Sequence, residues 1–165
     1  TSFFNNMPAE SHMAFILVIH LDPGHTSMMP ELLKRHTAMN VIEAQDGMTV
    51  VPDRVYVIPP NRDMSIFGGV LQLGAPTEMR GMRMPIDSFF RSLAEDQGEK
   101  SISVILSGTG SDGTLGMRAI HGAGGMCMVQ DPETARYDGM PRSAIITGLA
   151  DYVVPVEKMP EQLLA

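Results

Sequence analysis

Two polar segments come directly after apolar runs, and both contain side chains suited to acid–base chemistry. His20 follows the apolar run AFILVI at residues 14–19, and Asp112 lies in the segment SGTGSDG at residues 107–113. A neutral imidazole acts as a general base when a carboxylate fixes its tautomer, so these two side chains form a potential pair. A histidine at the end of a strand is also often purely structural, and its position alone leaves both alternatives open.

The glycine-rich segment is open to two functional interpretations, and the first is a dinucleotide-binding fingerprint. Gly108, Gly110 and Gly113 match the pattern G-x-G-x-x-G after a strand and before a helix. Asp131 follows the next strand at about the spacing of a ribose ligand. Against this interpretation, Asp112 places a negative charge where a pyrophosphate would have to bind the helix N-terminus. The segment also comes late in the chain, whereas the fingerprint usually begins its domain.

In the second interpretation, the same segment belongs to a hydrolytic site. Asp112 orients His20, and main-chain N–H groups near Thr109 donate hydrogen bonds to an oxyanion. This is the arrangement of serine acyl hydrolases, which in addition need a nucleophilic side chain. From the residues alone, both interpretations remain possible.

Strand-like and helix-like segments alternate along most of the chain. Continuous apolar runs are typical of strands buried on both faces of a parallel sheet, and sites gather at the carboxyl ends of such strands. The predicted strands are residues 14–19, 102–106, 126–129 and 152–154, and the predicted helices are residues 28–33, 86–93, 114–123 and 141–147. We therefore predict an α/β fold with three layers, α/β/α, and a mainly parallel, doubly wound sheet.

Shorter alternating segments between residues 41 and 73 predict an antiparallel addition to this sheet. They are VYVI at residues 55–58, SIF at residues 65–67 and VLQL at residues 70–73. Gly68 and Gly69 separate the last two segments and have the form of a two-residue hairpin turn. We expect this stretch to form an antiparallel hairpin extension.

The composition excludes several classes of function. The chain has 165 residues, 44% of them hydrophobic, so we expect a single domain over residues 1–165. A net charge of -7 leaves no basic face for nucleic acid or an anionic membrane surface. The longest apolar run, residues 13–19, is too short for insertion into a membrane.

Cys127 is the only cysteine, and it lies within the apolar run MCMV at residues 126–129. We expect an inert core thiol and a cytoplasmic, reducing location. Neither this cysteine nor any histidine has the spacing of a metal site, so we expect no metal and no other cofactor.

Five motifs occur in an order that matches a known family. They are IHLDP at residues 19–23, VIPPN at residues 57–61, LSGTGSDG at residues 106–113, VQDP at residues 129–132 and YDGMPR at residues 137–142. Together they resemble the protein-glutamate methylesterase domain of bacterial chemotaxis, from residue 3 to residue 164. The resemblance implies a Ser-His-Asp hydrolase that removes γ-methyl esters from glutamates of methyl-accepting chemotaxis receptors and releases methanol. Some members of that family also deamidate receptor glutamines.

The resemblance also implies a role for three residues of this chain. His20 corresponds to the base of the family, Asp112 to the carboxylate that orients the base, and the main-chain amide of Thr109 to an oxyanion donor. In the family, the catalytic domain is commonly joined to a receiver domain and, in some fusions, to a methyltransferase domain.

The chain departs from the family pattern at the nucleophile. The family carries it in a Gly-x-Ser-x-Gly-Gly turn after the first strand, and this sequence has no such turn. Ser2 lies too far along the following helix to replace it, and we interpret Ser111 as a helix cap. We therefore expect the first strand and nucleophile turn to be missing and the chain as written to be inactive. A non-catalytic receptor-binding module is the remaining alternative.

Overall fold

The computed structural model describes residues 1–19, 28–75 and 84–165. The α-helices are α1 (Ser2–Asn5), α2 (Met29–Lys34), α3 (Pro85–Gln97), α4 (Thr114–Gly122), α5 (Gly139–Ile146) and α6 (Met159–Leu164). The strands are β1 (Phe15–Leu17), β2 (Asn40–Glu43), β3 (Met48–Thr49), β4 (Arg54–Val57), β5 (Asp63–Phe67), β6 (Val70–Gly74), β7 (Ile102–Ile105), β8 (Met126–Gln130) and β9 (Tyr152–Val154). Short 3-10 helices lie at Gly98–Lys100, Pro132–Thr134 and Val156–Lys158.

Six of the strands form two parallel sheets, with the orders β1-β4-β2 and β7-β8-β9. The predicted strands at residues 14–19, 102–106, 126–129 and 152–154 are confirmed, with small differences at their ends. The assignment of residues 55–58 to the antiparallel addition was wrong, because β4 pairs in parallel with both β1 and β2. Val55, Tyr56 and Val57 have no exposed surface, as expected for a central strand covered on both faces.

The remaining strands form an antiparallel sheet in the order β3-β6-β5, which confirms the hairpin extension. Gly68 and Gly69 make the turn of the β5–β6 hairpin, and both have the positive φ that this turn requires. Their main-chain N–H groups donate to the carboxylate of Asp96 near the end of α3. Ser92 of α3 accepts a further hydrogen bond from the amide of Ile66, so the turn end of the hairpin is fixed to α3.

Two apolar cores lie on opposite sides of the parallel strands. The first core contains side chains of α3, α4, α5 and the hairpin, among them Phe89, Met117, Met140, Ala144 and Leu71. The second core contains side chains of α1, α2 and α6, among them Phe3, Phe4, Leu33 and Met159. Burial of these apolar faces supplies the main stabilisation of the fold.

Side chains of both parallel sheets alternate between these two cores. In β1, Ile16 packs on the first core and Leu17 on the second; in β7, Ile105 and Val104 do the same. Since both sheets contribute to both cores, they form the middle layer of the predicted three-layer α/β/α arrangement. In the described stretches, no helix is both long enough and apolar enough to span a bilayer.

Candidate active site

The predicted base and the predicted carboxylate follow two strands of the middle layer, β1 and β7. His20 itself lies outside the described residues, so its predicted position beside Asp112 stays a prediction. The chain is described up to Ile19, which packs against the first core, the core that also holds Ile105 at the end of β7. Ser107, Thr109 and Asp112 follow β7 and are described in full.

Asp112 is a buried carboxylate, with only 3% of its surface exposed. Its Oδ2 accepts a hydrogen bond of 3.0 Å from the amide of Ile86, and its Oδ1 accepts one of 2.8 Å from the amide of Asp87. Both amides lie in the first turn of α3, which has no capping side chain of its own. Asp112 therefore caps α3 from a distant segment, and its oxygens lie at the positive end of the helix dipole.

Asp87 is a second buried carboxylate in the same place, with 4% of its surface exposed. Its Oδ1 accepts hydrogen bonds of 2.9 Å from the amide of Gly113 and 2.7 Å from the amide of Gly116. These amides begin α4, whose N-cap residue, Gly113, provides no side-chain cap. Burial raises the pKa of Asp87 above its ordinary value, the charge of Asp112 raises it further, and the two amides and Arg91 oppose this rise.

The close approach of α3 and α4 depends on a glycine inside α4. A Cβ atom on Gly116 would lie 2.5 Å from Cβ of Phe90 and 2.9 Å from Cα of Asp87. Glycine lowers the stability of a helix interior, but here it allows the carboxylate of Asp87 to reach the first turn of α4. The positions of Asp87 and Asp112 are thus fixed by helix packing as well as by hydrogen bonds.

The turn between β7 and Asp112 is held by the loop that enters α5. The amide of Gly108 donates to the main-chain oxygen of Tyr137 (2.9 Å), and the amide of Met140 donates to the oxygen of Gly108 (2.9 Å). The side chain of Ser107 adds two bonds to the main chain of Tyr137, accepting from its N–H at 2.9 Å and donating to its oxygen at 3.2 Å. The two motifs at residues 106–113 and 137–142 therefore form one packed unit.

Thr109 lies at the exposed top of this turn. Within the described parts of the chain, no acceptor forms a hydrogen bond with its main-chain N–H. Gly110, which follows, has a φ of 80°, a conformation that glycine adopts without strain. An unpaired amide on a turn fixed from both sides can donate to an oxyanion, as the sequence predicts for Thr109.

Two details of this region differ from the sequence-based interpretations or limit them. Ser111 does not cap α4 with its side chain, so that interpretation was wrong; the amide of Thr114 donates to the main-chain oxygen of Ser111.

The side chain of Asp131 accepts a hydrogen bond from the amide of Glu133 and caps a 3-10 turn. The amides of Gly113 and Gly116 are already bonded to Asp87, so they are not available to a pyrophosphate.

Asp87 is the buried residue of this site that the sequence analysis missed. An aspartate in the first turn of a helix is ordinarily a solvated charge that favours the helix dipole. The available signals were a glycine within the apolar face of the predicted helix at residues 114–123 and an aspartate between the apolar residues Ile86 and Phe89. Neither signal identifies the residues that bind Asp87, because the contact joins segments that are 26 residues apart in the sequence.

Cys127 is fully buried, and burial raises the pKa of its thiol. This confirms the prediction of a core thiol. Among the residues that the structure describes, no cluster of three or more histidine, cysteine, aspartate or glutamate side chains could hold a metal ion.

Comparison with known proteins gives the same family across nearly the whole chain. Residues 1–163 match the family model described as CheB methylesterase. The chain is 34% identical over 165 residues to a Pyrococcus abyssi protein named protein-glutamate methylesterase/protein-glutamine glutaminase, covering 98% of this chain and 45% of that protein. It is 35% identical over 162 residues to a Pseudomonas aeruginosa protein of the same description, covering 96% of this chain and 46% of that protein.

A third relative is much longer than this chain. It is a Rhodobacter capsulatus protein described as "Uncharacterized 104.1 kDa protein in hypE 3'region", 48% identical over 131 residues, with 79% of this chain and 14% of that protein covered. The chain thus spans less than half of the length of these three relatives.

The fold matches a solved structure. The crystal structure of the Thermotoga maritima CheB methylesterase catalytic domain superposes with a TM-score of 0.89, at 33% sequence identity, over 99% of this chain and 88% of that one. The remaining part of that domain is not covered by the match.

Proposed function

Since this chain belongs to the CheB methylesterase family, we propose that it forms most of the catalytic domain of a protein-glutamate methylesterase. The observation that carries the proposal is Asp112, a buried carboxylate after β7. It lies beside an exposed turn where, among the residues that the structure describes, the main-chain N–H of Thr109 has no hydrogen-bond acceptor. A carboxylate and an amide donor in this position suit an acyl-transfer reaction that proceeds through an oxyanion.

In the proposed reaction, His20 takes the hydroxyl proton of a serine nucleophile as the serine oxygen attacks the γ-carbonyl carbon of a methylated glutamate. Asp112 stabilises the resulting imidazolium, and the amide of Thr109 donates to the oxyanion of the tetrahedral intermediate. His20 then gives the proton to the leaving methoxy group, which departs as methanol and leaves an acyl-enzyme. Water attacks that ester by the same route and releases glutamate and the free serine.

We propose that the nucleophile comes from a strand-and-turn segment outside these 165 residues. Supporting this, the sequence contains no Gly-x-Ser-x-Gly-Gly turn. In the described part of the chain, β1 pairs only with β4 and β7 pairs only with β8, although both edge strands pack on the same two cores. A further parallel strand between β1 and β7 would complete the middle layer and place its carboxyl end beside Asp112.

The proposal is tested by methanol release from a methylated receptor fragment, using the protein with a Gly-x-Ser-x-Gly-Gly segment present. We expect His20→Ala and Asp112→Ala each to reduce the rate by about 100-fold or more. Ser111→Ala is the matched control, because this exposed serine lies next to Asp112 and should leave the rate unchanged. A fully active His20→Ala variant, or loss of activity in Ser111→Ala, would be incompatible with the proposed roles.

Deamidation of receptor glutamines is a second candidate activity, supported by the second half of the name that the Pyrococcus and Pseudomonas relatives carry. The same acyl transfer on a glutamine side chain releases ammonia in place of methanol. Ammonia release that disappears in His20→Ala would support it. Ammonia release that persists in this variant would exclude the shared site.

We further propose that the partners of the protein are methyl-accepting chemotaxis receptors in the cytoplasm, and that the parent protein also carries a receiver or methyltransferase domain. The chain covers only 45% and 14% of two relatives, so those proteins are long enough to contain further domains of this kind.

Receptor binding without methanol release, with the nucleophile segment present, would favour the non-catalytic receptor-binding module. Tight binding of NAD(H) by calorimetry would favour the dinucleotide alternative, which the bonds from Gly113 and Gly116 to Asp87 make unfavourable.

A further inference from the structure

Asp87 is a buried carboxylate to which the proposed mechanism gives no part. We propose that Asp87 is a positioning residue, which holds Asp112 in the orientation needed to pair with His20 by fixing the first turn of α4. The inference rests on the proposed function, because it concerns the same site and adds a residue that acts through Asp112.

The first argument is the geometry of the peptide that follows Asp112. The amide of Gly113 belongs to the same peptide unit as the carbonyl group of Asp112, and it donates to Asp87 Oδ1 at 2.9 Å. A bond to this amide therefore fixes the orientation of that peptide plane and with it ψ of Asp112. The second bond, from the amide of Gly116, fixes the rest of the first turn of α4 against the same oxygen.

The second argument is that the bonds run in both directions between the two segments. Asp112 accepts from the amides of Ile86 and Asp87, while Asp87 accepts from the amides of Gly113 and Gly116. Removal of either side chain would leave two buried amides without an acceptor. It would also free the helix turn that helps to hold the other carboxylate in place. A carboxylate that orients a base must be held within a fraction of an ångström, and this arrangement restrains Asp112 from both its side chain and its main chain.

The third argument separates the role of the oxygen from that of the charge. Both amides bind the same atom, Oδ1, so the carbonyl oxygen of an asparagine at this position can accept both bonds. The charged and polar groups that face Asp87 are Asp112 and Arg91, together with the two amides. If positioning is the function of Asp87, Asp87→Asn should preserve it and Asp87→Ala should not.

The test is the pKa of the His20 imidazole, followed by NMR of the isotope-labelled protein and assigned from the resonance that His20→Gln removes. If the two side chains pair as proposed, Asp112→Asn should lower this pKa by about one unit. We expect Asp87→Ala to lower it by about half a unit or more, and Asp87→Asn to keep it within about 0.2 unit of the parent. Asp87→Ser serves if the alanine variant does not fold, since its hydroxyl lies too close to the main chain to reach both amides.

The outcomes distinguish failure of the inference from failure of the proposed function. If Asp112→Asn does not change the pKa of His20, the two residues are not paired and the proposed function loses its basis. If Asp112→Asn lowers it but Asp87→Ala and Asp87→Ser do not, Asp87 has no positioning role. If Asp87→Asn lowers it as much as Asp87→Ala, the charge rather than the acceptor acts on the site, and the inference is also overturned. If Asp87 were only a structural cap, Asp87→Ala and Asp87→Ser would lower the thermal stability without moving the pKa of His20.

Discussion

Asp112 caps α3, the helix that contains Asp87, and Asp87 caps α4, the helix that begins two residues after Asp112. The four hydrogen bonds involved are between 2.7 and 3.0 Å long, and both side chains are buried. Neither α3 nor α4 has a capping side chain within its own N-terminal segment. The candidate catalytic carboxylate is therefore part of the packing of two helices, and changes in that packing should reach the site.

Gly116→Ala should destabilise the protein and reduce activity. The added methyl group would lie 2.5 Å from Cβ of Phe90 and 2.9 Å from Cα of Asp87, so α3 and α4 must move apart, at a cost of about 1–3 kcal/mol. Urea denaturation measures the loss. Gly122→Ala in the same helix is the control, because nothing lies within 4 Å of its added Cβ, and we expect a gain of about 0.5–1 kcal/mol. Equal effects of the two substitutions would contradict the packing argument.

Asp87 should make the protein less stable as the pH rises. An aspartate in an unfolded chain titrates at about pH 4, whereas burial raises the pKa of Asp87 in the folded protein. Between these two values the folded state binds more protons than the unfolded state, so the free energy of unfolding falls with rising pH. In Asp87→Asn this fall is absent. The difference in free energy of unfolding, parent minus variant, should therefore decrease from about pH 4 upward.

Asp96 provides a control of the opposite sign. A hydrogen bond from the side chain of Gln97 lowers the pKa of Asp96, and the amides of Gly69 and Gly68 contribute to this decrease. The stabilisation from Asp96 is present above about pH 4 and is lost as the pH falls through the lower folded-state pKa. For Asp96→Asn, the free energy of unfolding of the parent minus that of the variant should therefore increase with pH. Denaturation curves for the parent and both variants between about pH 3 and 7 measure both trends; a parallel response of the two variants would refute the assignment for Asp87.

Ser107→Ala should loosen the turn that carries Thr109. The variant loses two hydrogen bonds to the main chain of Tyr137, and since Ser107 is exposed we expect a stability cost of only about 0.5–1 kcal/mol. The larger effect should be on kcat, because the amide of Thr109 is then less well fixed. Kinetics of methanol release measure this effect, with Ser111→Ala as the control in the same turn. An unchanged kcat would show that the loop at residues 137–140 holds the turn without Ser107.

Cys127 should react with a thiol reagent only when the protein unfolds. Its side chain has no exposed surface, and burial raises the pKa of the thiol, so little thiolate forms at neutral pH. Labelling with a disulfide reagent should be slow in buffer and stoichiometric in urea, since the chain has one cysteine. Rapid labelling in buffer would mean that β8 opens in the native state.

Sequence reasoning identified the fold class because the apolar runs and the helical spacing reflect local burial. The runs at residues 102–106 and 126–129 are strands covered on both faces, and the pair Gly68-Gly69 forms the expected hairpin turn. The error at residues 55–58 arose because a short apolar segment next to alternating segments carries no information on strand direction. Its partners, β1 and β2, determine that direction.

For the candidate site, sequence reasoning named Asp112 and Thr109, whose roles stay predictions, but it did not identify the residues that hold them in place. Asp112 follows a buried strand within a glycine-rich turn, a local signal that also singles out Thr109. The position of the Asp87 side chain depends on a tertiary contact between α3 and α4, which the lack of a side chain at Gly116 makes possible. No local sequence pattern predicts the partner in such a contact.

The exchanged caps of α3 and α4 have a consequence for folding. Neither helix can complete its N-terminal hydrogen bonds until the other is in place, so peptides that contain only one of them should be poorly helical in water. In native-state hydrogen exchange, the amides of Ile86, Asp87, Gly113 and Gly116 should lose protection together, as one cooperative unit.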